Sequence, residues 1–183
     1  MNYITHLLKE HSRTNTDAIA KAVGNDANEF KKIVHIIYNE KAPLPQRAAW
    51  LLAIINKQQP SLLYPYISKF IATVNDYKID AIKRNIMTVL ATQTIPKKLQ
   101  GKLVDICFNF ILSPTETVVV KVHALQCIAN LAKEHPELIP ELKSAIENQL
   151  PKTTAAFHAR AKMVMKQLKK NSNHEIKLPI QNL

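Results

Sequence analysis

Slid against itself, the chain matches at a fixed interval. The segments PQRAAWLLAII from Pro45, IKRNIMTVLAT from Ile82, VKVHALQCIAN from Val120 and FHARAKMVMKQ from Phe157 align, which puts Ala49, Ile86, Ala124 and Ala161 in one column at intervals of 37, 38 and 37 residues. A unit of this length cannot bury its apolar face alone, so copies must stack on their neighbours. Each segment has helical period: Ile82, Ile86, Val89 and Leu90 share a face, as do Val120, Ala124, Cys127, Ile128 and Leu131.

Between these segments lie partner helices that repeat as well. QQPSLLYPYISKFIATV, QTIPKKLQGKLVDICFNFIL and KEHPELIPELKSAIENQL open at Pro60, Pro96 and Pro136, where a proline costs no hydrogen bond and presets φ. Four or five residues later come Pro65, Gly101 and Pro140, and this spacing predicts a bend in the second turn. ANEFKKIVHIIYNE supplies the partner ahead of Pro45. The chain therefore reads as four helical hairpins, at about 26 to 57, 60 to 92, 96 to 133 and 136 to 170, with residues 1 to 24 as a cap of one or two shorter helices. Two glycines against ten prolines, with 46% apolar residues, agree with an all-α fold and leave few turn glycines for a sheet.

With its paired helices, the chain resembles the HEAT-repeat family, α-solenoids built from antiparallel helix pairs. In that family the first helix is commonly bent by proline. The second often opens with valine or isoleucine, a basic residue and then small residues, which Ile82-Lys83-Arg84 and Val120-Lys121 match well and Gln46-Arg47-Ala48-Ala49 matches in part. The family's turn aspartate has counterparts only in Asp76 or Asp80, with Glu40 and Glu116 elsewhere. The resemblance implies an α-α superhelix of about four pairs over residues 1–170, a single domain, with 171–183 as an extended or docked tail. Ile176, Leu178, Pro179 and Ile180 are the tail residues expected to dock.

The resemblance further implies that second helices line a concave side. Three columns follow: Ala48, Asn85, His123 and Arg160; Leu51, Thr88, Gln126 and Met163; Ile55, Thr92, Asn130 and Gln167. Gln46, Lys83, Lys121 and His158 form a partly basic column that Arg84 adjoins. Trp50, the only tryptophan, shares a column with Met87, Leu125 and Lys162, and is expected to pack on the N-terminal cap or to offer an edge to a ligand. The candidate binding residues are Trp50, Lys83, Arg84, Asn85, Thr88, Lys121, His123, Gln126, Asn130 and Arg160.

The formal charge of +11 is uneven: +3 over residues 1–59, +4 over 60–112, −2 over 113–150 and +6 over 151–183. Such an excess serves solubility, an acidic protein partner or phosphates. Lysine dominates and aromatic residues are not interleaved with the charges, which weighs against base stacking. Lys162, Lys166, Lys169 and Lys170 lie opposite Phe157, Ala161, Val164 and Leu168 and suit the wettable outer side of a terminal repeat. Cys107 and Cys127 read as reduced and buried, with no zinc spacing.

Enzymatic readings find little support in the residues. HEAT-like glycosylases of alkylated DNA use several groove aromatics and an aspartate, whereas here Trp50 stands alone and Asp80 and Asp105 have no clear aromatic partners. HEAT-type iron proteins use paired His-Glu motifs, and only His174-Glu175 occurs. The expectation is a non-enzymatic module, without cofactor or metal, that binds a protein or peptide through its concave face. The alternative is a DNA-binding protein of the HEAT-like glycosylase type, with or without activity. With no apolar span or leader in the sequence, a cytoplasmic protein is expected, a monomer rather than an oligomer.

Overall fold

The computed structural model describes residues 1–175, and side chains as far as residue 169. Ten α-helices follow in order: α1 Tyr3–Lys9, α2 Arg13–Val23, α3 Ala27–Asn39, α4 Leu44–Gln58, α5 Ile67–Thr73, α6 Asp80–Leu90, α7 Lys97–Leu112, α8 Val118–Leu131, α9 Leu138–Gln149 and α10 Ala155–Glu175. No strand occurs among the described residues, and the fold class is all-α, of the helical-solenoid kind. The repeat columns fall on α4, α6, α8 and α10, the second helices of the four hairpins, except that Thr92 stands in the turn just past the end of α6. The expected docking of Ile176, Leu178, Pro179 and Ile180 falls outside the described residues.

By contacts the chain divides into two compact units, Met1–Leu99 and Gln100–Leu183. In the first, α4 packs against α1, α2, α3 and α6. A helix covered from so many sides has few faces left for water, and Ala48, Ala49, Leu51, Leu52, Ile54 and Ile55 are all buried. The N-terminal helices are locally encoded. Ser12 Oγ accepts from Asn15 N at 3.1 Å, and Asp26 Oδ1 accepts from Asn28 N at 2.7 Å and Glu29 N at 3.2 Å, each supplying an orphan amide at a helix start. Gly24 ends α2 at φ 53°, where its N–H reaches Ala20 O, a conformation that a side chain would strain.

Three polar clips hold this cap in place. Tyr3 Oη donates to Glu29 Oε2 at 2.6 Å, Asn15 Nδ2 donates to His6 O and Glu10 O at 2.8 Å each, and Arg47 Nη1 donates to Leu7 O at 2.6 Å and Leu8 O at 3.2 Å. The guanidinium of Arg47 thus meets the carbonyl end of α1, where the helix dipole favours a cation.

In the second unit α8 packs on α9 and α10, and α9 on α10. Val120, Ala124, Ile128, Leu142, Ile146, Phe157, Ala161, Val164 and Leu168 form its apolar interior. The turn ahead of α9 is tied to α7 by His135 Nε2 and Gln100 Oε1, 2.7 Å apart. Cys107 and Cys127 are buried free thiols, and burial together with the neighbouring Cys127 pushes the Cys107 thiol up, away from the reactive thiolate.

The three proline-marked helices differ from one another. At Pro65 the helix is broken, not bent: 3-10 turns at Pro60–Leu62 and Tyr64–Tyr66 precede α5, with Leu63 N bonded to Pro60 O and Tyr66 N to Leu63 O. Without an N–H, Pro65 cannot join an α-type ladder, and i to i−3 bonds take its place. Gly101 keeps its amide, and α7 runs without interruption from Lys97 to Leu112. Pro140 is the third residue of α9, because the helix starts at Leu138 and not at Pro136. In a first turn the missing amide is one that no helix carbonyl would have received, so Pro140 removes no second-turn hydrogen bond there.

Candidate functional site

On α8, Val119, His123, Gln126 and Asn130 follow at steps of four, three and four residues and so share one flank, and Ala156, Arg160, Met163 and Gln167 do the same on α10. Side-chain bonds join the two flanks. Arg160 Nη1 donates to Gln126 Oε1 at 2.9 Å, and Gln126 Nε2 donates to Asn130 Oδ1 and Gln167 Oε1 at 3.0 Å each. Gln167 Nε2 in turn donates to Ala129 O at 3.0 Å and Asn130 Oδ1 at 3.3 Å. The amides are aligned head to tail from the α8 backbone to the guanidinium, an arrangement in which each bond polarises the next.

Arg160 is half-buried and forms no ion pair among the described residues. One of its five N–H donors is engaged by Gln126, so the planar cation is oriented while most of its donors stay available. The imidazole of His123 lies close enough to feel that charge: burial first, then Arg160, holds its pKa below the ordinary value of 6.5. Beside this polar strip two apolar side chains stand open, Met163 at 61% and Val119 at 45% exposure.

Charge is partitioned between the hairpin partners. The sequence has no Asp or Glu across α8, none in α10 before Glu175 and none in α4, while α6 has only Asp80 at its start. In the second unit the exposed carboxylates Asp105, Glu134, Glu137, Glu141 and Glu147 lie on α7, on α9 or in the turn before α9.

Of the ten candidates, four come together here: His123, Gln126, Asn130 and Arg160. Lys121 does not join them. It is 4% exposed and its Nζ donates to Gln149 Oε1 on α9 at 2.9 Å, because residue 121 follows the core residue Val120 by about 100° on the side facing α9. The basic column that includes it is therefore not an open stripe at that point. Burial keeps the Lys121 ammonium pKa below its ordinary value. Trp50 is half-buried, with its ring meeting His11 edge-on at 5.2 Å between centroids, so it is engaged by the N-terminal cap. Asn85 is buried and donates to Ala81 O at 2.7 Å, and Thr88 donates to Arg84 O at 2.8 Å, both within α6. Lys83 is half-buried and Arg84 exposed on the same helix.

The first copy of each column is closed, since Ala48, Leu51 and Ile55 are buried in α4. Gln167 and Met163 were outside the ten candidates, yet both stand in the repeat columns, next in phase to Asn130 and Gln126. The Trp50 column is buried at Met87 and Leu125 but exposed at Lys162, so α10 presents lysine where α6 and α8 present core. A cleft of about 260 Å³ between α1 and α3, walled by Met1, Ile4, Lys32 and His35, contains none of the candidates. Among the described residues no group of three or more His, Cys, Asp or Glu could hold a metal ion, and no helix is long and apolar enough to cross a membrane.

Compared with known proteins, the chain matches the HEAT repeat domain family over residues 3–168. No curated protein and no solved structure gives a significant match. The matched span takes in the cap, all four hairpins and the polar strip between α8 and α10, and the chain belongs to the HEAT-repeat family.

Proposed function

We propose that this protein is a non-enzymatic interaction module that binds a protein or peptide through the exposed flank of its second helices, the flank that helical-repeat solenoids turn to their concave side. HEAT repeats generally mediate protein interactions, which favours a protein or peptide as the partner. The observation that carries the reading is the strip made by Arg160, Gln126, Asn130 and Gln167. It presents an oriented cation and an ordered row of amides beside exposed apolar side chains. Amides that both donate and accept match the main chain of a bound segment, and Met163 and Val119 supply apolar contact at its edge. Localisation in the cytoplasm and a monomeric state belong to the same reading.

Selection from a random peptide display library on the intact chain tests it. Peptides enriched on the wild type should bind about tenfold or more weakly to a Gln126→Ala/Arg160→Ala variant of unchanged circular dichroism. Enrichment of no peptide, or binding indifferent to both substitutions, would remove the reading.

A second reading, binding of nucleic acid, has the positive balance in its favour, together with the absence of carboxylates along α4, α8 and most of α10. Affinity for a mixed-sequence duplex across a salt series decides it. Phosphate contacts would give a steep fall of affinity with salt, and binding weaker than about millimolar at low salt would end this reading.

A further inference from the structure

The strip between α8 and α10 also constrains which peptides would fit. Arg160 is held in place by Gln126, and this pairing leaves its charge uncompensated, because the amide oxygen is neutral and no carboxylate among the described residues pairs with the guanidinium. A fixed, half-buried guanidinium without a counter-ion is a fork shaped for a carboxylate, the group it pairs with in two parallel bonds. The two helices that carry the strip supply none before Glu175, since α8 has no Asp or Glu and α10 has none up to that residue. One helical step away on the same flank, Met163 is 61% exposed, and Val119 is 45% exposed on the facing flank of α8. The charge and the apolar contacts therefore sit side by side.

Resting on the interaction-module reading above, we infer that this strip takes an acidic peptide segment: an Asp or Glu carboxylate pairs with Arg160 while a neighbouring apolar side chain of the segment lies on Met163. Charge complementarity favours this occupant over a nucleic acid. A duplex carries one charge per ~1.7 Å of axis and calls for a row of cations. The strip holds one arginine, and burial and Arg160 disfavour the cationic form of His123 beside it. The exposed lysines Lys162, Lys166 and Lys169 cannot extend the row, since Lys162 lies about 200° around α10 from Arg160, on another flank. A single cation bordered by methionine and valine suits a carboxylate with an apolar neighbour.

The test is the composition of display-selected peptides, followed by titration. Peptides enriched on the wild type relative to Arg160→Leu should be rich in Asp or Glu next to Leu, Ile, Met or Phe. Replacing that one acidic residue by its amide should weaken binding about tenfold. Arg160→Lys should restore part of the loss. Met163→Glu, at a position too exposed to threaten the fold, should weaken the same peptides at least as much, through repulsion and lost apolar contact. Selected peptides with no acidic excess, or acid and amide forms that bind equally, would overturn this inference and leave the module reading standing. Failure to enrich any peptide would remove both, and a duplex that binds through Arg160 in place of the peptides would do the same.

Discussion

Arg160 of α10 donates a 2.9 Å hydrogen bond to Gln126 of α8, across 34 residues of sequence. It is the outermost bond of a relay that continues through Gln167 and ends on the Ala129 carbonyl. The side chains of Arg160, Gln126 and Gln167 lie on the flank that the repeat columns mark out on the second helices, so one network serves both to hold α10 on α8 and to aim a cation.

Gln126 is the hub of that network, with bonds to Arg160, Asn130 and Gln167. Gln126→Ala should cost about 1–2 kcal/mol, since the lost partners are half-buried and regain part of their hydration. Urea denaturation measures it. In a double-mutant cycle with Gln167→Ala the two losses should fall short of additive by about 0.5–1 kcal/mol, and strict additivity would mean that the relay does not couple them.

His123 makes stability depend on pH. Its folded pKa lies below the ordinary 6.5, so the unfolded chain takes up the proton first as the solution is acidified. The contribution of this group is fully present above about pH 6.5 and is lost as pH falls from there through the folded pKa. His123→Gln should flatten that part of the wild-type profile. Denaturation midpoints at stepped pH, wild type against variant, would show parallel curves if the imidazole were unperturbed.

Lys121 sits buried with one neutral acceptor, Gln149 Oε1. Its depressed pKa means that stability is lost as pH falls from the ordinary 10.5 through the folded value, so the wild type should gain stability toward pH 10. Lys121→Met alone strands the Gln149 oxygen and should cost about 1–3 kcal/mol. The pair Lys121→Met/Gln149→Leu should recover most of that loss, because replacing both partners by apolar groups removes the desolvation penalty.

Arg47 fastens the cap. Removing its bonds to Leu7 O and Leu8 O in Arg47→Ala should cost about 1.5–3 kcal/mol, felt first at α1. Hydrogen exchange should speed up in residues 3–9 before it does in α4, and Trp50 emission should shift as His11 loosens from the indole. Uniform exchange across both helices would show that the clip is not what holds α1.

Helix pairing was legible because the apolar residues of each segment repeat at helical steps and the segments repeat at 37 or 38 residues. That periodicity located all four hairpins to within a few residues. The prolines were harder to read, since Pro65 and Pro140 stand at similar offsets from Pro60 and Pro136 yet lie before the start of α5 and inside the first turn of α9. The difference depends on where each helix begins, which packing decides. Of the candidate residues, the columns placed His123, Gln126, Asn130 and Arg160 on facing flanks of α8 and α10, where side-chain bonds join Gln126 to Asn130 and Arg160. Lys121 was misleading because a lysine in a basic column looks solvated, and nothing local reveals that Gln149, 28 residues on, provides a buried acceptor.

On this proposal, ligand meets the α8–α10 flank. Amide chemical-shift mapping of the isotope-labelled chain, titrated with a display-selected peptide, tests it most directly. The largest shifts should fall at Val119, His123, Gln126, Asn130, Arg160, Met163 and Gln167. Shifts gathered instead on the outer side of α9, around Glu141, Lys143 and Glu147, would contradict it.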